Sequence, residues 1–325
     1  METNMTRRDF LKRSAVATVG GVAILSGINV AGANTSGESY ATVIDLTKCD
    51  GCGKCVTACQ VHNELPVVDE PKPYDNWVHI QKFNIDGKEV NIPRRCMHCD
   101  NPPCVNLCPF GVNHKYDDGS VVIDDYYCFG GAKCKSVCPW QTPVRKPGVG
   151  IYLKFQPLPV GAGVMQKCTM CHDLIKTGGE PACVTACVKE HGEDTATHFG
   201  PKEQMRELAY KRAEEVGGYV YGDKENGGTS TFYVSSVPYE SINAEITEMN
   251  VGTKMINSEI TKNNEGLSVA EKTPLIELEP PMHDAENPLE SVTTAAQAVM
   301  IAPIAGMAGA AIAVIKAMKN RDKED

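Results

Sequence analysis

Residues 79–92, HIQKFNIDGKEVNI, alternate apolar and polar positions on both sides of Asp86-Gly87. That dipeptide between two alternating runs predicts a hairpin of two strands. A second Asp-Gly pair, Asp118-Gly119, stands just before Val121-Val122-Ile123 and predicts a further strand there. Residues 201–216 are mostly charged but carry Met205, Leu208, Ala209 and Ala213 at helical spacing, which predicts an amphipathic helix. Residues 229–236 read as a strand. From 241 to 290 the chain is polar and poor in aromatic residues, and this pattern predicts an extended arm suited to wrapping a partner.

The two ends break from this pattern. Residues 291–315, SVTTAAQAVMIAPIAGMAGAAIAVI, carry no charge. At ~1.5 Å per residue a helix of that length crosses a ~30 Å hydrocarbon core. Lys316, Lys319, Arg321 and Lys323 follow it, and the positive-inside rule keeps them in the cytoplasm with everything before 291 outside. The competing reading is a buried alanine-rich helix, since the segment is only modestly apolar and contains Pro303. Ala302, Gly306 and Ala310 form a small-residue face suited to packing on another membrane helix. At the other end, TRRDFLKRS places Arg7-Arg8 before an apolar Gly/Ala-rich run and an Ala31-Gly32-Ala33 cleavage site. This is the order of a twin-arginine signal peptide, with a mature chain beginning at Asn34. Both ends therefore predict a protein on the periplasmic side of the cytoplasmic membrane. The formal charge of -9 offers no basic footprint for a nucleic-acid backbone.

The candidate chemistry lies in fifteen cysteines, none of them beyond Cys187. Cys49, Cys52, Cys55 and Cys59 have the C-x2-C-x2-C-x3-C spacing of bacterial ferredoxins. Cys96, Cys99, Cys104 and Cys108 repeat it with an expansion containing Pro102 and Pro103. Cys168, Cys171, Cys183 and Cys187 repeat it with a long insertion before the third thiol. The remaining group, YCFGGAKCKSVCP, keeps Cys128, Cys134 and Cys138 but has Gly131 where the second cysteine belongs. Residues so close in sequence do not bridge to one another, and an odd number cannot pair fully. Zinc also uses C-x2-C pairs. It has no use, however, for a repeated trailing x3-Cys, and the spacing points to iron-sulfur clusters. With three thiolates a cubane tends to lose its unheld iron, so the third group is expected to hold a [3Fe-4S] cluster of relatively high potential. A [4Fe-4S] cluster completed by water or a nearby side chain, or a vacant site, are the other possibilities. Lys133 and Lys135 could raise the potential by proximity, although surface lysines are usually just solvated. His98 and His172 stand beside ligands, and Trp77 and Trp140 read as packing residues.

In order and spacing the four groups, over residues 45–200, resemble the four-cluster electron-transfer subunits that accompany molybdopterin enzymes such as dimethyl sulfoxide, polysulfide and nitrate reductases and formate dehydrogenase. They equally resemble the iron-sulfur subunits of hydrogenase-2-type complexes. The signal, the tail at 227–242 and the anchor look most like the latter. The resemblance implies an α+β fold of two nested ferredoxin-like units, with a C-terminal extension and one transmembrane helix. The outer unit would run over 34–92 and 165–200, with the inner unit at 93–164, an extension at 201–290, an anchor at 291–315 and a tail at 316–325. It implies three [4Fe-4S] clusters, one on Cys49, Cys52, Cys55 and Cys187, one on Cys168, Cys171, Cys183 and Cys59, and one on Cys96, Cys99, Cys104 and Cys138. The [3Fe-4S] cluster would rest on Cys128, Cys134 and Cys108 with its open corner at Gly131. The implied function is a non-catalytic relay between a catalytic subunit, nickel-iron hydrogenase or molybdopterin oxidoreductase, and a quinone-reactive membrane subunit or cytochrome. A free-standing polyferredoxin conflicts with the expected anchor. An aconitase-like hydro-lyase using the three-thiolate site lacks a substrate domain.

Overall fold

The computed structural model describes residues 39–67, 75–146 and 163–266, and Met282. In chain order its elements are β1 (Tyr40–Asp45), α1 (Lys54–His62), β2 (His79–Ile85), β3 (Lys88–Arg94), α2 (Pro103–Asn106), β4 (Asn113–Lys115), β5 (Val121–Ile123), α3 (Lys133–Ser136), β6 (Val144–Lys146), β7 (Val164–Gln166), α4 (His172–Ile175), α5 (Ala182–His191), β8 (Thr197–Pro201), α6 (Lys202–Val216), β9 (Tyr219–Tyr221), β10 (Thr231–Ser235) and α7 (Tyr239–Asn263).

One four-stranded sheet, in the order β8-β1-β10-β9, joins the start of the described chain to its late part. Strand β1 pairs parallel with β10, Thr42 opposite Thr231, and antiparallel with β8. Alternate residues of these strands face opposite sides. Ala41, Val43, Phe232 and Val234 turn toward α6 and meet Ala209 and Ala213 there. Ile44 and Tyr233 turn the other way, into a core with Phe83, Val90 and Ile92 of the β2–β3 hairpin. Tyr233 Oη donates to the Pro93 carbonyl at 2.8 Å, so the sheet and hairpin are joined by a buried polar bond as well as by packing. Each fully buried side chain of this size contributes ~1.5–3 kcal/mol.

Local chemistry fixes the turns. Asp86 and Gly87 both have positive φ, 51° and 79°, as a two-residue hairpin turn of this hand demands. Gly222 (φ +107°) follows β9, and a Cβ there would lie 2.1 Å from the Thr231 carbonyl oxygen. Gly222→Ala is therefore expected to destabilise the fold by more than ~1 kcal/mol, seen as a lower urea midpoint at unchanged slope.

Residues 241–263, expected to belong to an extended arm, lie instead in the helix α7 (Tyr239–Asn263). It starts directly after Pro238, and Ile242 and Ile246 are wholly buried in the core behind the sheet. Only this first part of the helix is covered. Its later positions are mostly exposed and mix polar residues with scattered apolar ones such as Met249, Met255 and Ile256, and composition alone conceals a helix of that kind. The remaining arm residues 267–281 and 283–290 lie outside the described residues. So do the expected signal (1–33), anchor (291–315) and tail (316–325). No helix among the described residues is long and apolar enough to cross a membrane.

Candidate functional site

Every cysteine group opens with the same backbone turn. Two positions after the first cysteine stand Gly51 (φ 70°), His98 (φ 52°), Gly130 (φ 69°) and Met170 (φ 58°), all left-handed. For His98 and Met170 this conformation costs ~1–3 kcal/mol and persists only where the surroundings require it. In the first, third and fourth groups the turn folds an amide back onto the first sulfur. Gly130 N and Met170 N donate to Cys128 and Cys168 Sγ, both at 3.4 Å, and Gly51 N–H does the same for Cys49. The third group follows the first one step further. Gly53 and Ala132 are both left-handed, and each caps the helix that carries the next cysteine, α1 with Cys55 and α3 with Cys134. In this register Gly131 occupies the position of Cys52.

All fifteen cysteines are free thiols. Helix α1 packs on α5 and α2 packs on α3, so the first group meets the fourth and the second meets the third. Cys49, Cys52, Cys55 and Cys187 line one cavity. Burial pushes the Cys49 thiol up, with repulsion from Cys187 and Cys52 adding to it, and pushes Cys55 up to about 12. Cys59 is raised by burial and by Cys168, Cys183 and Cys171, and Cys168 and Cys171 are pushed up to about 11 and about 12. Cys96, Cys99, Cys104 and Cys138 line a second cavity, closed by Pro102, Trp140 and Lys167. There burial first, then Cys96, Cys138 and Cys104, hold Cys99 well above the usual thiol range. In the last set burial, Cys128 and Cys108 push Cys134 up to about 12. These three thiols pack with Val112, Val164 and Met165.

Neighbouring sets also feel one another, through Cys55 and Cys183, then Cys168 and Cys96, then Cys104 and Cys134. The four sets thus form a continuous series. Thiols crowded and buried in this way resist ionisation until a cation replaces their protons. An all-thiolate donor set of this kind fits iron-sulfur clusters, with zinc the other soft-donor metal.

Other groups complete the surroundings. His98 Nδ1 accepts from Val121 N at 2.9 Å, so its proton lies on Nε2, which is buried with no hydrogen-bond partner among the described residues. His172 Nδ1 lies 2.6 Å from Asp118 Oδ2, and Trp140 Nε1 donates to Tyr221 Oη at 2.7 Å. Asp50 and His191 crowd the exposed Cys52, with His191 Nε2 3.6 Å from its sulfur. Because the trio uses Cys52, it belongs to the first set. Residues that sequence reasoning passed over are Arg95, Lys167 and Asn226. Arg95 Nη1 donates to Cys183 Sγ at 2.9 Å, and Asn226 Nδ2 to Cys99 Sγ at 3.0 Å. A signal was present for two of them, since Arg95 and Lys167 each immediately precede the first cysteine of a group.

Comparison with known proteins agrees with this donor set. Two 4Fe-4S dicluster domain models match, over residues 48–112 and 88–193. The formate dehydrogenase-O iron-sulfur subunit of Escherichia coli is 32% identical, over 61% of this chain and 67% of its own length. A tetrathionate reductase subunit of Archaeoglobus fulgidus is 35% identical over 43% of this chain, and the match spans only 58% of that protein. A Nitratidesulfovibrio vulgaris protein is 32% identical over 77% of this chain and 69% of its own length. Together with the thiol sets, these matches show that the chain belongs to the 4Fe-4S dicluster family of iron-sulfur subunits of reductases and dehydrogenases.

Proposed function

We propose that the chain is a non-catalytic electron relay, exported by its twin-arginine signal and anchored through residues 291–315 on the periplasmic side of the membrane. Three [4Fe-4S] clusters rest on Cys49, Cys52, Cys55 and Cys187, on Cys59, Cys168, Cys171 and Cys183, and on Cys96, Cys99, Cys104 and Cys138. A [3Fe-4S] cluster rests on Cys108, Cys128 and Cys134. The observation that carries the reading is the unbroken series of free, crowded thiols. Bound clusters supply one-electron chemistry, and the protein's part is to fix their spacing and surroundings. Backbone amides turned onto the sulfurs and apolar walls such as Val112 and Met165 set polarity and exclude water. Cys52 at one end of the series and Gly131 at the other are exposed, which suits entry and exit of electrons at partner surfaces. Those partners are a catalytic subunit, a molybdopterin oxidoreductase or a nickel-iron hydrogenase of the hydrogenase-2 type, and a quinone-reactive membrane subunit or cytochrome. The test is metal and acid-labile sulfide analysis of anaerobically purified full-length protein. The expected result is a brown protein with iron and sulfide in near-equal amounts. A colourless, zinc-loaded protein would overturn the reading.

A further inference from the structure

Two cations are buried among the cysteine sets, and neither is paired with a carboxylate among the described residues. Arg95 is 7% exposed and Lys167 is 2% exposed. Arg95 Nη1 donates to Cys183 Sγ at 2.9 Å and Nη2 to Thr42 Oγ1 at 2.6 Å. Its charge also acts on Cys55, Cys59 and Cys168, so it stands where the first set meets the second. Lys167 Nζ donates to the Cys168 carbonyl at 3.1 Å and to the Val121 carbonyl, and it lines the cavity of Cys96, Cys99, Cys104 and Cys138. It stands where the second set meets the third. A buried charge without an opposite partner is costly in a protein interior. Here the opposite charge is the cysteine sets themselves, and it grows by one unit whenever an electron arrives.

We propose that Arg95 and Lys167 are positioning residues for electron transfer: fixed buried cations at successive junctions of the relay, which stabilise the reduced state of the two sets that each one joins and so raise their potentials above those of the same clusters without it. The step is one-electron reduction with no bond made or broken, and the cation holds its charge throughout. The inference rests on the cluster reading above and adds two residues to it. It also assigns them unequal reach, Arg95 toward the Cys49–Cys187 end and Lys167 toward the inner sets.

The test is an EPR-monitored dithionite titration of the full-length, cluster-loaded protein carrying Lys167→Gln, Lys167→Arg, Arg95→Gln or Arg95→Lys. In Lys167→Gln the reduced-to-oxidised ratio of the Cys96 and Cys168 sets at fixed poise is expected to fall about tenfold, which is ~59 mV for a one-electron couple. The Cys49 set should move less. Arg95→Gln should reverse that ranking by lowering the Cys49 and Cys168 sets most. The conservative variants should titrate close to the unaltered protein. Full cluster loading with unmoved potentials in both Gln variants would overturn the proposal. So would loss of clusters in the Gln variants with normal loading in the conservative ones, which would assign these residues to assembly. Absence of iron and labile sulfide from the unaltered protein would instead remove the cluster reading itself.

Discussion

Gly131→Cys is expected to abolish the oxidised-state [3Fe-4S] EPR signal and to add one iron per chain. The backbone already accepts the change. Gly130 takes the left-handed position, whereas Gly131 itself is not among the glycines with positive φ. A Cβ at Gly131 would meet only Phe110 Cε2, at the ordinary contact distance of 3.9 Å. Because Gly53 and Ala132 hold the same conformation in the first and third loops, a cysteine at 131 stands where Cys52 stands relative to Cys49 and Cys55. The new thiolate supplies the fourth corner and the added iron fills it, so the site becomes a [4Fe-4S] couple, and the change of cluster type is expected to lower its potential. Gly131→Ser, adding a similar Cβ without a thiolate, should keep the three-iron signal. If the unaltered protein, loaded with all its iron, shows no such signal, the three-thiolate assignment fails.

What the sequence made legible was local. The Asp86-Gly87 hairpin and the 202–216 helix follow from neighbouring residues, through a turn that needs two positive φ values and through Ala209 and Ala213 on one helical face. Cysteine spacing is equally local, which is why each candidate thiol could be named in advance. The parallel pairing of β1 with β10 could not be read in this way, because Thr42 and Thr231 choose each other through a core assembled from the whole chain. Helix α7 was hidden for a related reason, since only Ile242 and Ile246 and the residues near them reach the core while the rest face water. The sequence shows that Arg95 and Lys167 each stand next to a cysteine, but it does not show whether such a base is buried. Only the folded surroundings show them enclosed by thiols, at 7% and 2% exposure.

Phe232→Ala should cost ~3–5 kcal/mol, the range for emptying a large aromatic site in a core. Phe232 is wholly buried on β10, beside Val43 of β1, and faces helix α6 through Ala209 and Ala213. Those two alanines decide the magnitude. They are short and rigid, so the helix cannot fill the void without moving bodily toward the sheet. Marginal stability of ~5–15 kcal/mol makes such a loss a large share of the total. The damage also reaches the relay, because β1 runs through Leu46 and Lys48 directly into Cys49, and the chain between β9 and β10 supplies the Asn226 donor to Cys99. Denaturant unfolding followed by both tryptophan fluorescence and cluster absorbance should therefore show the two transitions moving down together. Tyr219→Ala, at an exposed position of β9, should shift the midpoint by no more than ~0.5 kcal/mol. A Phe232→Ala midpoint within that same margin would mean that the sheet does not depend on its contact with α6. An unfolding transition that fell while the cluster absorbance held would mean that the cysteine sets stand without the sheet.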